Sequence, residues 1–434
     1  MSTSLEAAHS ANQGPVSSRR LRSLQALGIF CGFAAGAWLG GAEAPIKLVN
    51  PNISPITVSL IMVCGVFLAR WSVPAFIRGT SHVRADVKQA PHLIVWAILA
   101  GCMWAVANTL TIYAIRDVGL SIAFPLWNTN SLLGIFWGFL LFNELRLAGW
   151  KRWLGVLGGA VVMFAGATLL AVASSHQAAP GKAAFGIAAA LGAGVLWGTM
   201  YIPYRKAYLT GMNPLSFITF FTIGELATML TLALLYRGAV PLRNELLASR
   251  TVLFWLMLGG FVWVVGDLFQ QYATKYVGIS RGIPLSNTNQ LWGLLWGVFV
   301  FRELRGATHA TYLQVGGGSL LMALGAVAIA LSSATEQEHS SWRNAANREG
   351  KRYGVENEYV QAGMEGRAFG DSYSRTPLDW LLILGTTALF VALASMARLP
   401  RIEISTHRAV ALVAAMLAML LIGAVALWRT TRFR

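Results

Sequence analysis

Runs of twenty or more mostly apolar residues recur from Leu24 to Trp428, and they constrain this chain more than any other feature of its sequence. A helix needs about 20 apolar residues to cross the hydrocarbon core of a bilayer, where only helices and closed barrels satisfy their backbone groups. The chain is 56% hydrophobic and 12% charged, against about 25% charged residues in a typical soluble domain. The sequence therefore predicts an all-α polytopic membrane protein.

The apolar runs divide into twelve candidate spans, ten of them before a polar stretch and two after it. From this spacing we predict five segments. A cytoplasmic N-terminal tail at 1–23 precedes two five-helix transmembrane repeats, the first at 24–173 and the second at 183–332. A polar cytoplasmic linker at 333–377 then leads to two further transmembrane helices with a C-terminal tail at 378–434. The linker mixes charges with Ser, Asn and Gly and has few apolar anchors, which favours a flexible tether.

The basic residues indicate how the chain is oriented. With the N-terminus inside, ten Lys and Arg residues of the first half fall on the cytoplasmic side and three on the other, as the positive-inside rule requires. The ten include Arg70, interpreted as the end of the second span, while the loops of the second half are ambiguous. We predict an integral protein of the cell (inner) membrane with both termini in the cytoplasm. The net charge of +16 then reflects anchoring to anionic lipid rather than binding of nucleic acid.

Two segments carry nearly the same unusual sequence, FPLWNTNSLLGIFWGFLLFNELR at 124–146 and IPLSNTNQLWGLLWGVFVFRELR at 283–305. At an offset of 159, 15 of the 28 positions that start at Gly119 and Gly278 are identical. Chance similarity between apolar helices preserves Leu and Val, not Pro-x-x-Asn-Thr-Asn. Each repeat contains five spans, an odd number, so we expect the two copies to lie inverted in the membrane, as in many secondary transporters.

The repeated motif places four asparagines near the middle of the fourth and ninth spans, namely Asn128, Asn130, Asn287 and Asn289. A proline shortly before each pair breaks or kinks the span, which is tolerated where the backbone lines a wet cavity. An amide both donates and accepts hydrogen bonds, which suits a polyhydroxylated substrate. The alternative is that these amides bond neighbouring helices, at about 0.6–2 kcal/mol for each bond. Both interpretations stay open.

Two carboxylates lie deep within predicted spans, Glu225 and Asp267. A charged group at mid-bilayer costs about 2.5–3.5 kcal/mol on insertion scales, so it faces a cavity or a partner. Desolvation favours the protonated form of a carboxylic acid, which makes both residues candidates for proton coupling. Alternatively, Arg281 neutralises one of them in a structural ion pair. Asp267 corresponds in the repeat to Asn108, a further candidate substrate-binding residue, and this asymmetry would suit a single proton site.

Trp104 and Trp263 stand at equivalent places inside spans and are candidates for stacking on a sugar ring, with core packing as the alternative. The seven His lie in tails, loops or span ends, and the three Cys lie inside spans. No nucleophile–base pair or metal-ligand motif stands out, so we predict no enzyme, no catalytic residue, no metal and no cofactor.

The motifs resemble those of the drug/metabolite transporter superfamily, over about residues 24 to 332. The resemblance rests on the stretches MWAVANTLTIYAIRDVGLSIAFPL and VWVVGDLFQQYATKYVGISRGIPL and on a Gly-x-x-x-x-Pro-x-Lys/Arg pattern, formed by Gly40, Pro45 and Lys47 and again by Gly198, Pro203 and Arg205. These motifs are similar to those of the glucose/ribose porter group, and the L-rhamnose–proton symporters and ureide permeases are related. The resemblance implies two inverted five-helix repeats that move a sugar or similar polar metabolite, coupled to a proton or cation. The linker and the last two helices depart from the ten-helix pattern.

The leading hypothesis is a secondary active transporter of a small polar metabolite, a sugar first, coupled to a proton. Its partners would be that substrate, the coupling proton or cation, and membrane lipid. An exporter of amino acids or drug-like metabolites in the same superfamily is one alternative, and it would have a more apolar pocket than paired asparagines suggest. A membrane sensor that uses residues 333–377 is an alternative from another class.

Overall fold

The computed structural model describes residues 18–42, 44–45, 53–118, 123, 126–173, 183–302, 304–306, 308–332, 334–365, 375–398 and 404–433. Within these ranges all regular structure is helical, and ten helices are long and apolar enough to cross a membrane. The prediction of an all-α polytopic membrane protein is confirmed.

The helices of the first half are α1 Ser18–Ala42, α2 Pro55–Ile77, α3 Ser81–Gln89, α4 His92–Val118, α5 Asn130–Phe142 and α6 Trp150–Ala173. Those of the second half are α7 Ala183–Leu209, α8 Pro214–Arg237, α9 Ala239–Ala248, α10 Leu253–Val277, α11 Ile279–Ser286, α12 Asn289–Leu295, which continues as a π-helical turn at Trp296–Val300, and α13 His309–Leu331. The remainder of the chain forms α14 Glu336–Arg352, α15 Asn357–Met364, α16 Pro377–Met396 and α17 Thr406–Thr431.

The fourth and ninth predicted spans are interrupted at their Asn-Thr pairs, and therefore ten rather than twelve helices reach full spanning length. A turn occupies Asn128 and Thr129 before α5 begins, and Asn287 and Thr288 separate α11 from α12. Each threonine hydroxyl donates to the backbone carbonyl three residues earlier, at 2.7 Å for Thr129 and 2.8 Å for Thr288. Each of these carbonyls also accepts a long backbone hydrogen bond from the same threonine, at 3.4 Å for Leu126 and 3.3 Å for Leu285, so the hydroxyl adds a shorter second bond at the break. The two breaks are thus built in the same way.

Contacts between the two halves come in equivalent pairs. Helix α1 packs on α10 as α7 packs on α4, α2 packs on α10 as α8 packs on α4, and α6 packs on its counterpart α13. A Cβ atom added to Gly101 would overlap the carbonyl oxygen of Phe221, and one added to Gly260 would overlap that of Met62. Gly101 and Gly260 lie 159 positions apart, and so do Met62 and Phe221. The same close helix approach is therefore encoded twice.

The contacts also give the relative directions of the helices. Gly28 of α1 lies against Val277 at the end of α10, whereas Gly266, nearer the middle of α10, lies against Leu39. Helices α1 and α10 are therefore antiparallel. Since α10 is the third span of its half, and alternate spans share a direction, α1 and α7 run in opposite directions. An inverted repeat requires this relation.

The linker is not the flexible tether that its composition predicts. Residues 334–365, called the docked linker below, form α14 and α15, which pack on each other and on α7. Helix α14 begins with a capping box in which Thr335 and Glu338 bond each other's backbone amides. Trp342 is 2% exposed and Tyr359 is 4% exposed. These two large aromatic side chains anchor the segment, although its sequence contains few apolar residues. Part of the predicted linker, residues 366–374, lies outside the described residues.

The C-terminal helices α16 and α17 flank the bundle. Helix α16 packs against α2 and α10, and α17 packs against α1 and the π-helical turn. Both present large apolar side chains outward, such as Leu381 and Leu421 at 67% exposure each. Such a surface is expected of helices that face lipid. The end of the bundle that carries the docked linker is called the linker end below.

Candidate functional site

Helices α2, α8 and α10 bring three charged side chains together inside the bundle. The Arg70 guanidinium lies between two carboxylates, with Nη1 3.1 Å from Glu225 Oε2 and Nη2 2.8 Å from Asp267 Oδ2. All three side chains are 0% exposed. These residues are called the buried triad below. An intramembrane cluster of this kind is expensive to desolvate, and the membrane proteins that keep one use it for transport or coupling.

Close helix packing positions the triad. A Cβ atom added to Gly65 of α2 would overlap the backbone of Met257, so α2 and α10 approach closely just before Arg70. The guanidinium carbon lies 4.0 Å from the centre of the Phe221 ring and 5.4 Å from that of Trp263. Cation–π attraction with these rings partly offsets the loss of hydration of Arg70.

The two carboxylates are not equivalent. Asp267 Oδ2 accepts hydrogen bonds from Arg70 Nη2 at 2.8 Å and from Gln271 Nε2 at 2.7 Å. Glu225 has the Thr222 hydroxyl nearby, but neither of its oxygens accepts a well-formed hydrogen bond from a described residue. Hydrogen bonds to an ionised carboxylate stabilise its charged form, and Asp267 accepts two of them from described residues whereas Glu225 accepts none that is well formed. One cation against two carboxylates gives the triad a formal charge of −1, which a single proton neutralises.

The internal repeat relates the triad to a neutral counterpart, and each of the two sets takes residues from both halves of the molecule. The positions that correspond to Arg70, Glu225 and Asp267 at the offset of 159 are Met229, Val66 and Asn108. Asn108 donates to the Ser59 hydroxyl, which in turn lies 3.7 Å from Met229 Sδ. Equivalent helices therefore bring together two equivalent sets of residues, and only the set around Arg70 carries charged side chains.

Trp104 and Trp263 contact each other beside the triad. Their ring centroids lie 5.1 Å apart at an interplanar angle of 69°, an edge-to-face pair. Trp104 is 7% exposed and Trp263 is half-buried. Residues at equivalent positions can touch only where the two repeats meet, so this aromatic pair marks the boundary between the halves.

The asparagines of the broken helices form a second polar group. Asn287 Nδ2 donates to Asn130 Oδ1 at 3.0 Å and to Ser131 Oγ at 2.6 Å, which links the two breaks. Asn128 is 8% exposed, and its amide nitrogen meets no hydrogen-bond acceptor among the described residues. Asn289 is half-buried. Helix packing thus accounts for the contacts of Asn130 and Asn287, whereas Asn128 offers an unused donor.

Two expectations about charge partners are wrong. The suggested ion pair of Arg281 with an intramembrane carboxylate does not form; Arg281 Nη2 instead lies 3.1 Å from Glu338 Oε2 of the docked linker. The true partner of both carboxylates is Arg70, which was interpreted as a charge at a span end. Helix α2 continues for another two turns through the apolar residues 71–77, and that run was the sequence signal for a buried Arg70.

A further group of charged residues lies at the linker end. Glu144 accepts hydrogen bonds from the backbone amides of Ile279 at 3.2 Å and Ser280 at 2.9 Å, and so caps the start of α11. Arg205 Nε lies 2.9 Å from Glu144 Oε1. The residue equivalent to Glu144 in the second repeat, Glu303, and the one equivalent to Arg205 in the first, Lys47, lie outside the described residues.

Comparison with known proteins adds a family likeness. The family model described as "Sugar transport protein" matches residues 188–352, which include most of the second repeat and helix α14. The glucose uptake protein GlcU of Staphylococcus xylosus is 24% identical over 216 residues, 49% of this chain and 69% of that protein. A putative sugar uptake protein of Listeria innocua is 22% identical over 240 residues, 54% of this chain and 78% of that protein.

Shorter and structural similarities agree with this likeness. A putative sugar uptake protein of Streptococcus pyogenes serotype M1 is 41% identical over 75 residues, 17% of this chain and 25% of that protein. A solved crystal structure superposes with a TM-score of 0.50 at 17% identity, and the match covers 71% of this chain and 99% of the other. At such low identity the superposition supports the fold alone.

Proposed function

We propose that this protein is a secondary active transporter that carries a sugar across the cell (inner) membrane together with a proton. The observation that carries the proposal is the buried Arg70–Glu225–Asp267 triad at the meeting of the two halves. The similarity to a glucose uptake protein and to putative sugar uptake proteins supports a sugar as the substrate. The resemblance of the repeat motifs to the drug/metabolite transporter superfamily supports the same class.

Alternating access would arise from the two repeats. In inverted-repeat transporters, one repeat rocks against the other around a site near the midplane of the bilayer. The equivalent contacts of α1 with α10 and of α7 with α4 supply two matched sliding surfaces for this motion. We infer that the linker end faces the cytoplasm, because the basic residues of the first half cluster on that side.

The triad would couple the proton to this motion. With Glu225 ionised the cluster carries a net charge of −1, and with Glu225 protonated the Arg70–Asp267 pair is neutral. A neutral site crosses the low-dielectric interior at lower cost than a charged one. The rocking of the repeats would therefore follow protonation of Glu225, and release of the proton on the cytoplasmic side would reset the site.

The sugar would bind between the aromatic pair and the asparagines. Trp104 and Trp263 offer ring faces to the apolar face of a sugar, while Asn108 and Asn128 offer amide groups to its hydroxyls. Asn130, Asn287 and Asn289 lie on the broken helices that would frame this space. The unused donor of Asn128 makes it the strongest candidate of the four motif asparagines for direct contact.

Reconstitution into liposomes tests the function. Purified protein with labelled glucose inside and outside should accumulate the sugar when an inward proton gradient is imposed, and a proton ionophore should abolish the accumulation. Equilibration without accumulation would remove the coupling but keep the sugar. No glucose flux, combined with flux of an amino acid or a drug-like cation, would instead favour the exporter alternative.

A further inference from the structure

A wide apolar groove lies between the C-terminal helices α16 and α17, with α10 as its floor. Helix α16 packs against α2 and α10, whereas α17 packs against α1 and the π-helical turn, so the two helices are attached to different parts of the bundle. The space between them has a volume of about 1030 Å³ and is open to the outside of the bundle. Pockets for small molecules have volumes of about 300–1,000 Å³, so this groove has room for a ligand larger than a sugar.

The groove follows the direction in which the helices cross the membrane. On α10 its lining residues run from Phe254 to Tyr272, which at 1.5 Å per residue is about 27 Å of helix. The hydrocarbon core of a bilayer is about 30 Å thick. The backbone amide of Arg398 donates to the carbonyl of Thr251 at 3.0 Å, so α16 ends where α10 begins and begins at the linker end. The floor of the groove therefore lies at the depth of the acyl chains.

The wall of the groove is suited to hydrocarbon. Most of its side chains are apolar, including Phe261 of α10 and Phe390 of α16. The hydroxyl groups of Ser72, Tyr272 and Thr387 also line it, but each donates to a backbone carbonyl, at 2.7, 2.9 and 2.8 Å. Such a wall offers little to a polar ligand, whereas an acyl chain would gain dispersion contacts along its whole length.

Arg375 is the only charged residue among the described residues that line the groove, and it lies at the linker end. Its side chain is exposed, donates to the carbonyl of Phe76 at 2.6 Å and has its guanidinium carbon 5.8 Å from the centre of the Trp380 ring. The acidic residue of α16, Asp379, is 0% exposed, lies outside the groove and accepts hydrogen bonds from two backbone amides. Arg375 therefore forms no ion pair with a carboxylate of the described residues.

Tryptophan side chains flank the groove at the same end. Trp428 of α17 lines the groove and is 39% exposed, and the guanidinium carbon of Arg432 lies 4.6 Å from the centre of its ring. Trp380 of α16 is 51% exposed. Tryptophan is enriched at the level of the lipid headgroups, where its ring meets both hydrocarbon and water. The linker end of the groove thus lies at headgroup level, and the apolar part extends from there into the bilayer.

We propose that this groove binds one anionic phospholipid, with the phosphate beside Arg375 and the acyl chains along α10 between α16 and α17. A guanidinium pairs with phosphate oxygens through several N–H donors, and Arg375 uses one nitrogen for the carbonyl of Phe76. Basic sites between transmembrane helices bind anionic headgroups in this way. The bound lipid would fill the space between the C-terminal helices and stabilise their packing on the bundle.

Lipid binding is measured on the full-length protein, independently of any transport assay. Protein purified in mild detergent is examined by native mass spectrometry, which should show one retained phospholipid per chain. After the lipid is removed with harsher detergent, phosphatidylglycerol and phosphatidylcholine with the same acyl chains are titrated separately. Phosphatidylglycerol should raise the melting temperature at the lower concentration and slow hydrogen exchange in α16.

One pair of variants tests the place of the acyl chains. Ala424→Phe puts a large ring into the groove and should abolish retention of the lipid. Ala418→Phe is the matched control, because Ala418 is an exposed alanine of the same helix outside the groove, and it should retain the lipid. Equal retention by the two variants would overturn the proposal, and so would a dimer without bound lipid, since a second copy would then cover the groove.

A second pair tests the headgroup and does not disturb the packing of the groove. Arg375→Gln should weaken the apparent affinity for phosphatidylglycerol by about tenfold, through the loss of one charge-assisted contact, and leave that for phosphatidylcholine unchanged. Arg408→Gln is the control, because the exposed Arg408 also donates to a backbone carbonyl, that of Phe299, but lies outside the groove. Equal affinities of the two arginine variants for phosphatidylglycerol would overturn the proposal.

Discussion

The buried triad around Arg70 and its counterpart around Met229 occupy places that the internal repeat makes equivalent, yet only the first is charged. Each lies beside a close helix approach at a glycine, Gly101 against the backbone of Glu225 in the triad and Gly260 against that of Val66 in the counterpart. The two places therefore share a scaffold but differ in the three triad residues and in neighbours such as Phe221 and Gln271, which correspond to Met62 and Ile112. Helix packing determines where the side chains meet, and the residues at those positions determine whether the meeting place is charged.

The largest effect is expected when the charged place loses its cation. Arg70→Met, which introduces the residue of the neutral counterpart, leaves two buried carboxylates without a partner and should cost about 3–5 kcal/mol of stability. Met229→Leu in the counterpart is the control and should cost less than about 1.5 kcal/mol, because it conserves volume and chemistry. Thermal unfolding in detergent compares them, and equal losses would show that the triad is not the buried ion cluster described here.

A triple variant extends this comparison, because it introduces the three residues of the neutral counterpart. A variant with Arg70→Met, Glu225→Val and Asp267→Asn should regain most of the stability that Arg70→Met loses, since replacing a whole buried ion cluster by neutral groups is often neutral or stabilising. Proton-driven accumulation should remain absent. If the triple variant is less stable than Arg70→Met alone, the charges themselves support the fold, and the two places differ in more than function.

Smaller, matched losses are expected from the shared scaffold. Gly101→Ala and Gly260→Ala each push a methyl group against a backbone carbonyl of the facing helix, and overpacking of this kind costs about 1–3 kcal/mol. The two losses should be similar, whereas Gly385→Ala in α16, where a Cβ atom meets nothing within 4 Å, should cause none. Melting temperatures decide this. A loss confined to one half would break the symmetry of the scaffold.

The smallest effects separate the two polar roles of the asparagines. Asn130→Leu and Asn287→Leu remove a shared hydrogen bond, and each should cost about 0.6–2 kcal/mol, with the double variant close to either single one. Asn128→Leu removes no such bond and should instead weaken glucose binding. Thermal unfolding with and without glucose measures both quantities. Additive losses for the pair, or unchanged glucose affinity in Asn128→Leu, would contradict the assignment.

Much of the fold follows from the sequence because the bilayer leaves few choices. Apolar length predicts the spans, and the proline before each Asn-Thr pair predicts a break or kink of the helix, which lies at 128–129 and 287–288. Glu225 and Asp267 were placed inside the bundle on the same grounds. Residues that lie 159 positions apart in the sequence also make equivalent helix contacts in the structure.

The partners of the charged residues could not be predicted, because they depend on tertiary packing. Arg70 is seven residues short of its helix end, and span prediction from hydropathy is least accurate at such ends. Arg281 pairs with Glu338 only because the linker folds back on the bundle. That packing depends on individual large side chains such as Trp342, and the overall composition of a segment does not reveal where such a side chain packs. Asn130 and Asn287 pair across the repeats, which a motif within one helix cannot reveal.

Proton-driven glucose accumulation in liposomes that contain Glu225→Gln measures whether Glu225 carries the coupling proton. The Arg70–Asp267 pair persists in this variant, so the protein should fold and still exchange glucose across the membrane without a gradient. We expect that an imposed proton gradient no longer drives accumulation, and that exchange no longer depends on pH. Accumulation at the level of the unchanged protein would show that Glu225 does not carry the proton, and that the charge difference between the two halves has another purpose.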